Sequence, residues 1–227
     1  MISLILPVYN QADHIAAVVR EYQAAMEKLV GEYEIILVPN GCRDDSVAVC
    51  ELLAGSNVRV VNSQVAGWGR AVNLGLAAAR GDLLCYTNSA RTPAEDLIDV
   101  LKVARERRDA VVKATRRVRE GWRRWLGSKL YNVECRLFLG TRSDDVNGTP
   151  KAFSRTLTKL LELKRQDDLI DAELLAVAHR EGYPVVEVPV GTRQRRGGAS
   201  TTKLKSAWKM YKGVFVLRKS LRAGVAA

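Results

Sequence analysis

Short apolar runs and helical periodicities alternate along the first half of the chain. "SLILPVY" is a continuous apolar run of strand length, and in "ADHIAAVVREYQAAMEKLV" Ile15, Val18, Val19, Tyr22 and Met26 fall on one helical face. "EIILVPN" predicts a second strand. "DDSVAVCELLAG" predicts a helix capped by Asp45 or Ser46. "VRVVNS" follows as a strand, "GRAVNLGLAAARG" as a helix closed by Gly81, and "DLLCYTN" as a fourth strand with a new helix starting at Pro93-Ala94. Strands alternating with helices predict a mostly parallel sheet with right-handed crossovers. Ligands of such sheets sit beyond the carboxyl ends of the strands. "PVYNQ", "VPNGCRD", "SQVAGWG" and "TNSART" are therefore predicted to surround one cleft.

The second half is less regular. "DAVVKATR" predicts a fifth strand, "DDVNGTPKAFSR" a loop entering a strand, "DDLIDAELLAVAHREG" a helix ended by Gly182, and "YPVVEVPV" another strand. "GTRQRRGGASTTK" reads as a basic loop. "REGWRRWLGSKLYNVECRLFLG" and "LKSAWKMYKGVFVLRKSLR" mix Trp and Tyr with Lys and Arg around apolar positions, as helices at a bilayer interface do. The same pattern also suits a core-packing helix with a solvated basic face. No internal repeat or clear linker divides the 227 residues, so one α/β domain is expected.

Charge changes the picture more than composition does. The net charge is +11, and after Glu187 ten Lys or Arg follow by Arg222 with no acid among them. An anionic partner for this half is expected: nucleic acid, anionic lipid or a phosphorylated substrate. No RRM-type signature or zinc-finger spacing supports nucleic acid. The four cysteines lack CxxC spacing and read as reduced thiols of a cytoplasmic protein. "MISLILPVYN" lacks the basic flank and cleavage site of a signal peptide, and no apolar run reaches the roughly 18 residues of a membrane span. Membrane contact, if made, is expected to be peripheral, at the inner face.

Six strings, in order, carry a family resemblance: "LILPVYNQ", "EIILVPNGCRDDS", "AGWGRAVNLGLAAARGD", "CYTNSARTP", "DDVNGTPKAFSR" and "GYPVVEVPVGTRQRRGGAS". The chain resembles the family 2 glycosyltransferases of GT-A (Rossmann-like) fold, and among them the dolichyl- and polyprenyl-phosphate sugar synthases. The resemblance implies an inverting transfer of a sugar from a nucleotide-sugar donor to a lipid phosphate or related anionic acceptor. It implies a nucleotide-binding half, 1–107, and an acceptor-binding half, 108–227. Pro7, Tyr9, Asn10, Gln11, Asn40, Gly67, Arg70, Asn88, Ser89, Ala90 and Arg91 would face the donor. Gly67 and Gly69 would let backbone approach the ligand. Gly148, Lys151, Arg193, Arg196 and Ser200 would face the acceptor or its phosphate. For a sugar-hydroxyl acceptor, Asp145 or Asp144 would be the general base. An ionised lipid phosphate would need none.

The departures from the family pattern are systematic. Gln11 stands where relatives carry Glu, Pro39-Asn40 where they carry two acids, and Asn88-Ser89-Ala90 where they carry D-x-D. Hard divalent cations take carboxylate oxygens. No metal ligand is assigned, and a tightly held Mg²⁺ or Mn²⁺ is not expected. The leaving diphosphate still needs positive charge, for which Arg91, Arg70 and the "RQRRGG" loop, Arg195 above all, are the candidates. The rival expectation is a catalytically silent GT-A domain that binds a ligand or a partner.

Overall fold

The computed structural model describes residues 1–29, 31–116, 122–191 and 204–223, with the side chains of 122–125, 204–210 and 223 left outside the description. Seven strands form one sheet: β1 (Ile2–Val8), β2 (Tyr33–Pro39), β3 (Val58–Val60), β4 (Leu83–Tyr86), β5 (Val111–Arg116), β6 (Lys151–Ser154) and β7 (Val185–Val190). Their order is β3-β2-β1-β4-β6-β5-β7. All pairs are parallel except those of β6, which runs antiparallel to both β4 and β5. Every residue of β1 is buried. A strand covered on both faces needs a continuous apolar run, and "ISLILPV" is one.

Helices cover both faces. On one face α1 (Ile15–Met26), α2 (Ser46–Leu52) and α4 (Ala94–Glu106) share a core with Leu4, Leu6, Ile35, Leu37, Cys85 and Val112. On the other, α3 (Trp68–Ala78), α5 (Trp122–Leu139), α6 (Ile170–Arg180) and α7 (Leu204–Ala223) pack on Ile5, Ile36, Leu84, Tyr86 and Phe153. The predicted face of α1 is the buried one: Ile15, Val18, Val19, Tyr22 and Met26. Each such side chain contributes on the order of 1.5–3 kcal/mol relative to exposure. Glu95 and Asp96 in the first turn of α4 and Arg105 in its last complement the helix dipole.

Two caps differ from expectation. Asp45 sits at the N-cap of α2 without a side-chain bond. Asp44 does the capping instead, accepting from the Ser46 N–H at 3.1 Å and hydroxyl at 2.6 Å. The carbonyls ending α3 are met by Arg155, which donates to Ala79 O and Gly81 O at 2.6 and 2.7 Å. Gly182, by contrast, closes α6 in the left-handed region, at φ +73°.

Among the described residues, the fold brings the loops after β1, β2, β3, β4 and β5 to the carboxyl edge of the sheet. Strand β6 starts at this same edge because it is reversed. Its first residue, Lys151, stands opposite both Tyr86 of β4 and Lys113 of β5. Helix α3 lies so close to β1 that a Cβ on Gly75 would sit 2.2 Å from Ile5 Cγ2. Gly75→Ala should therefore lower stability by about 1–3 kcal/mol through overpacking, read from the urea midpoint; an unchanged midpoint would mean that α3 shifts freely on β1.

Candidate active site

The wall formed by β1 and β2 is tied together by one amide. Asn40 is buried; its Nδ2 donates to Val8 O at 2.8 Å and Val38 O at 3.2 Å, and its Oδ1 accepts from the Gly67 N–H at 3.0 Å. Both protons and one lone pair are thus engaged by backbone. Asn40 braces β1, β2 and the start of α3 and does not turn its amide donors to a base edge. Pro7 is likewise interior, within β1, whereas Tyr9 and Asn10 are half-buried at the tip. Asn10 adopts φ +50°, a region Asn tolerates, and its Oδ1 accepts from the Arg43 N–H at 2.8 Å.

Gln11 joins this wall to the tip of β4. Its Oε1 accepts from Ser89 Oγ at 2.6 Å, and its N–H donates to Ser46 Oγ at 2.7 Å. At the tip itself Ser89 and Ala90 are fully buried, and Asn88 Oδ1 accepts from the Ala90 N–H at 3.2 Å. The Thr87 and Thr92 hydroxyls pair at 2.7 Å beneath it. The family resemblance implies a divalent cation here, and this donor set does not fit one. It contains no carboxylate, the Ser89 oxygen is engaged, and Ala90 has no oxygen in its side chain. Among the described residues no group of three or more His, Cys, Asp or Glu is placed to hold a metal. Arg91 is half-buried in the same turn, its N–H bonded to Asn88 O at 3.0 Å.

The glycines before α3 serve the protein's own backbone. A Cβ on Gly67 would stand 2.6 Å from Gln166 O, and one on Gly69 would stand 2.6 and 2.7 Å from Arg165 O and Asp167 O. The Arg70 N–H donates to Gln166 O at 3.0 Å, and Asn73 Nδ2 donates to Arg165 O at 3.0 Å. The 165–167 segment thus covers this helix end. The close approach that the sequence reserves for a ligand is made by another loop, and only the half-buried Arg70 side chain remains for a phosphate.

Beyond the end of β5 Asp145 is 1% exposed, and Arg116 grips it in a fork: Nε to Oδ2 at 2.7 Å and Nη2 to Oδ1 at 2.8 Å, with the Arg116 N–H on Oδ2 at 3.2 Å. Burial disfavours the guanidinium charge, but the bonds and charge of Asp145 outweigh it and raise the Arg116 pKa. Asp144, the other candidate base, is exposed and bound to Arg136 at 3.0 Å. Gly148 packs on β5, and its carbonyl accepts from Lys151 Nζ at 2.8 Å. Lys151 has no exposed surface and spends its ammonium inside the protein, so it does not face a ligand as the sequence suggests.

A row of polar groups crosses the sheet just under this edge: the buried Tyr86, Lys151 and Lys113 and the half-buried Glu187, each opposite the next in register. Asp171 of α6 closes one end. It accepts from Lys151 Nζ at 2.5 Å, Tyr86 OH at 2.8 Å and Trp68 Nε1 at 3.1 Å. Burial, then the Asp171 charge, push the Tyr86 phenol well above its usual pKa. Asp171 and Glu173, both in the first turn of α6, are also buried acceptors; Glu173 takes the Lys164 and Arg165 N–H groups at 3.1 and 2.8 Å. Trp68, Tyr86, Lys113, Arg116, Asp171 and Glu187 were not legible as site residues. The available signal was a charge inside an apolar strand, as in "VVKATR" and "VVEVPV", which demands a partner. Arg193, Arg195, Arg196 and Ser200 lie outside the described residues.

A seven-stranded, mostly parallel sheet with one reversed strand and helices on both faces is the architecture of the GT-A glycosyltransferase fold. The chain belongs to glycosyl transferase family 2, whose family model matches residues 3–161. It is 29% identical over 162 residues to the undecaprenyl-phosphate 4-deoxy-4-formamido-L-arabinose transferase of Pseudomonas syringae pv. syringae, covering 69% of this chain and 48% of that one. It is 30% identical over 202 residues to glycosyltransferase AglD of Haloferax volcanii, covering 83% of this chain and 32% of that one. The chain thus spans about half the length of the first relative and a third of the second. Glucosyl-3-phosphoglycerate synthase from Mycobacterium tuberculosis, solved with Mn²⁺, uridine diphosphate and glucosyl-3-phosphoglycerate, shares the fold at a TM-score of 0.74 and 22% identity, over 97% of this chain and 79% of that one.

Asn40→Asp would introduce the acid that the family resemblance implies here but aim a carboxylate oxygen at two carbonyls. It should cost about 2–4 kcal/mol at neutral pH. The buried acid's pKa would be raised, so the deficit should shrink as pH falls toward about 5. Urea unfolding at both pH values checks this; a deficit independent of pH would mean that the side chain turns outward.

Proposed function

We propose that the chain transfers a sugar, with inversion, from a nucleotide-activated donor to the ionised phosphate of a polyprenyl lipid. The observation that carries this reading is the Arg116–Asp145 fork. A sugar-hydroxyl acceptor needs a carboxylate free to take its proton. Both oxygens of Asp145 are engaged by Arg116, and Asp144 points to solvent on Arg136. A phosphate acceptor is already ionised and needs a cation instead, which the edge of the Arg116 guanidinium turned away from Asp145, Nη1 with the second Nη2 proton, would supply. Arg116 stands at the end of β5 with 29% of its side chain exposed. Relatives whose names specify undecaprenyl phosphate support the same acceptor class.

In this reading residues 1–107 hold the nucleotide, with Tyr9 and Asn10 at its wall, and residues 108–227 hold the acceptor. Arg70, Arg91 and Arg195 meet the diphosphate as the glycosidic bond breaks. A resident divalent cation is not required, because the Asn88-Ser89-Ala90 tip is a closed, neutral hydrogen-bonded turn. Calorimetric titration with UDP, GDP, CDP and dTDP, each with Mg²⁺ and again with EDTA, tests this. Micromolar binding that survives EDTA is expected for one base. Binding abolished by EDTA would refute the metal-free donor site, and no binding to any nucleotide would point to the silent domain. With a competent donor, Arg116→Met should lower kcat/KM by about a hundredfold or more, mainly through the acceptor KM.

No helix among the described residues is long and apolar enough to cross a membrane. Peripheral seating is the finer part of the proposal. Leu126, Leu130, Val133 and Leu137 form one exposed stripe along α5, with Phe215 and Val216 exposed on α7. The two helices pack through Phe138 on Phe215, with ring centroids 4.5 Å apart. Lys129, Lys219 and Arg222 are exposed on the same helices. Apolar side chains flanked by bases suit an anionic bilayer interface. The protein should float with vesicles containing phosphatidylglycerol and not with phosphatidylcholine alone, and the Leu130→Glu, Leu137→Glu double variant should stay in the unbound fraction. Equal recovery of the wild type with both lipids would remove this surface from consideration.

A further inference from the structure

Lys113 has no exposed surface, yet it carries a charge in mid-strand. Its three ammonium protons reach Ala114 O at 3.0 Å, Thr115 Oγ1 at 3.2 Å and Glu187 Oε1 at 3.2 Å. That same Glu187 oxygen accepts from Ser143 Oγ at 2.6 Å and from the Asp144 N–H at 3.3 Å. The Asp145 N–H then donates to Ser143 Oγ at 3.2 Å, and the Asp145 carboxylate meets Arg116. An unbroken chain of contacts thus runs from the interior of β5, through β7, to the turn that presents the acceptor-side fork.

We propose that Lys113 is a positioning residue of the acceptor side: its ammonium holds Glu187 inward, and Glu187 holds the 143–145 turn that sets Asp145 against Arg116. The inference rests on reading Arg116 as the cation that meets the acceptor phosphate. Glu187 keeps 24% of its side chain exposed, so water competes for it. Without a cation beneath it, the carboxylate gains by hydrating outward and releases Ser143 and Asp144. Burial pushes its pKa up, but the Lys113 charge and the hydroxyl bonds outweigh that and hold it below the usual range.

The tether is sensitive to pH. Burial, then the neighbouring Lys151 charge, bring the Lys113 pKa down to about 8, against the opposing pull of Glu187 and Asp145. Lys151 faces it from β6, Glu187 from β7 and Asp145 from the acceptor-side loop; Asp171 of α6 is occupied by Lys151. The folded pKa lies below the unfolded one. From about pH 8 to 10.5 the unfolded chain therefore binds the extra proton, and this group's contribution to global stability rises with pH. Over the same window the neutral amine releases Glu187. Local loosening of the turn coincides with a gain in global stability, a combination that unfolding cannot produce.

Amide hydrogen exchange of the full chain, corrected for intrinsic rates, tests the tether whether or not the chain is active. Lys113→Met removes the charge and keeps the volume. Protection of the Asp144 and Asp145 amides should fall by roughly tenfold or more in this variant, with β1 unchanged. In the wild type the same amides alone should lose protection between about pH 7 and about pH 9.5. Farnesyl phosphate serves as the acceptor probe, and its affinity should fall by about tenfold in Lys113→Met while nucleotide affinity holds. Equal protection of the turn in wild type and variant would overturn the proposal. Failure of the wild type to bind farnesyl phosphate would instead overturn the acceptor reading, leaving exchange to decide the tether. Should Lys113→Met not fold, Glu187→Gln, which keeps an acceptor for Ser143 and loses the attraction to Lys113, should show a smaller loss of protection at the same amides.

Discussion

Two lysines without exposed surface lie side by side in the central sheet, and the edge around them is built to neutralise them. An unpaired buried ammonium would lose its proton or unfold its surroundings. Lys151 is held by Asp171 and Lys113 by Glu187. Each carboxylate then has accepting capacity left over, and the protein uses it. Asp171 fixes Tyr86 and Trp68, while Glu187 fixes the turn before Asp145. The third pair, Arg116 with Asp145, stands at the carboxyl edge, where part of the Arg116 side chain is exposed. Three cations and three carboxylates thus form a graded series, from dry interior to open cleft.

The tips of β1, β2 and β4 follow the opposite principle. Gln11, Asn40 and Asn88 stand there as neutral amides, and each bonds to the protein's own hydroxyl or backbone groups. Gln11 with Ser89 and Asn40 with the backbone of β1, β2 and α3 are neutral contacts that need no counter-ion. Replacing carboxylates by neutral groups at several points keeps the cleft wall assembled without a cation. Reverting one acid alone would leave a charge facing partners chosen for neutral ones.

The strand–helix alternation and the buried face of α1 were legible because they depend on local periodicity, which the chain displays openly. The destinations of individual polar atoms were not. Gly67 and Gly69 signal a close backbone approach, but nothing in "AGWGR" says that residues 165–167 make it. "KAFS" is too short to reveal that β6 runs backwards, and only that reversal puts Lys151 opposite Tyr86 and Lys113. Tyr86 and Asp171 are 85 positions apart, Lys113 and Glu187 74. Such pairs are products of register, and register is settled by the whole sheet.

The reversed strand also has a consequence during synthesis. Strands β1 to β4 can pair as soon as they leave the ribosome, but β4 then ends the sheet with one apolar side unpaired. Its partner β6 emerges some 65 residues later, as the pairing of Leu83 with Ser154 and Tyr86 with Lys151 requires. Until then Leu83–Tyr86 is an open edge of the kind that recruits other chains. The nascent protein therefore passes through an interval in which it is most in need of a chaperone, and that interval closes only when the strand carrying Lys151 slides into the gap.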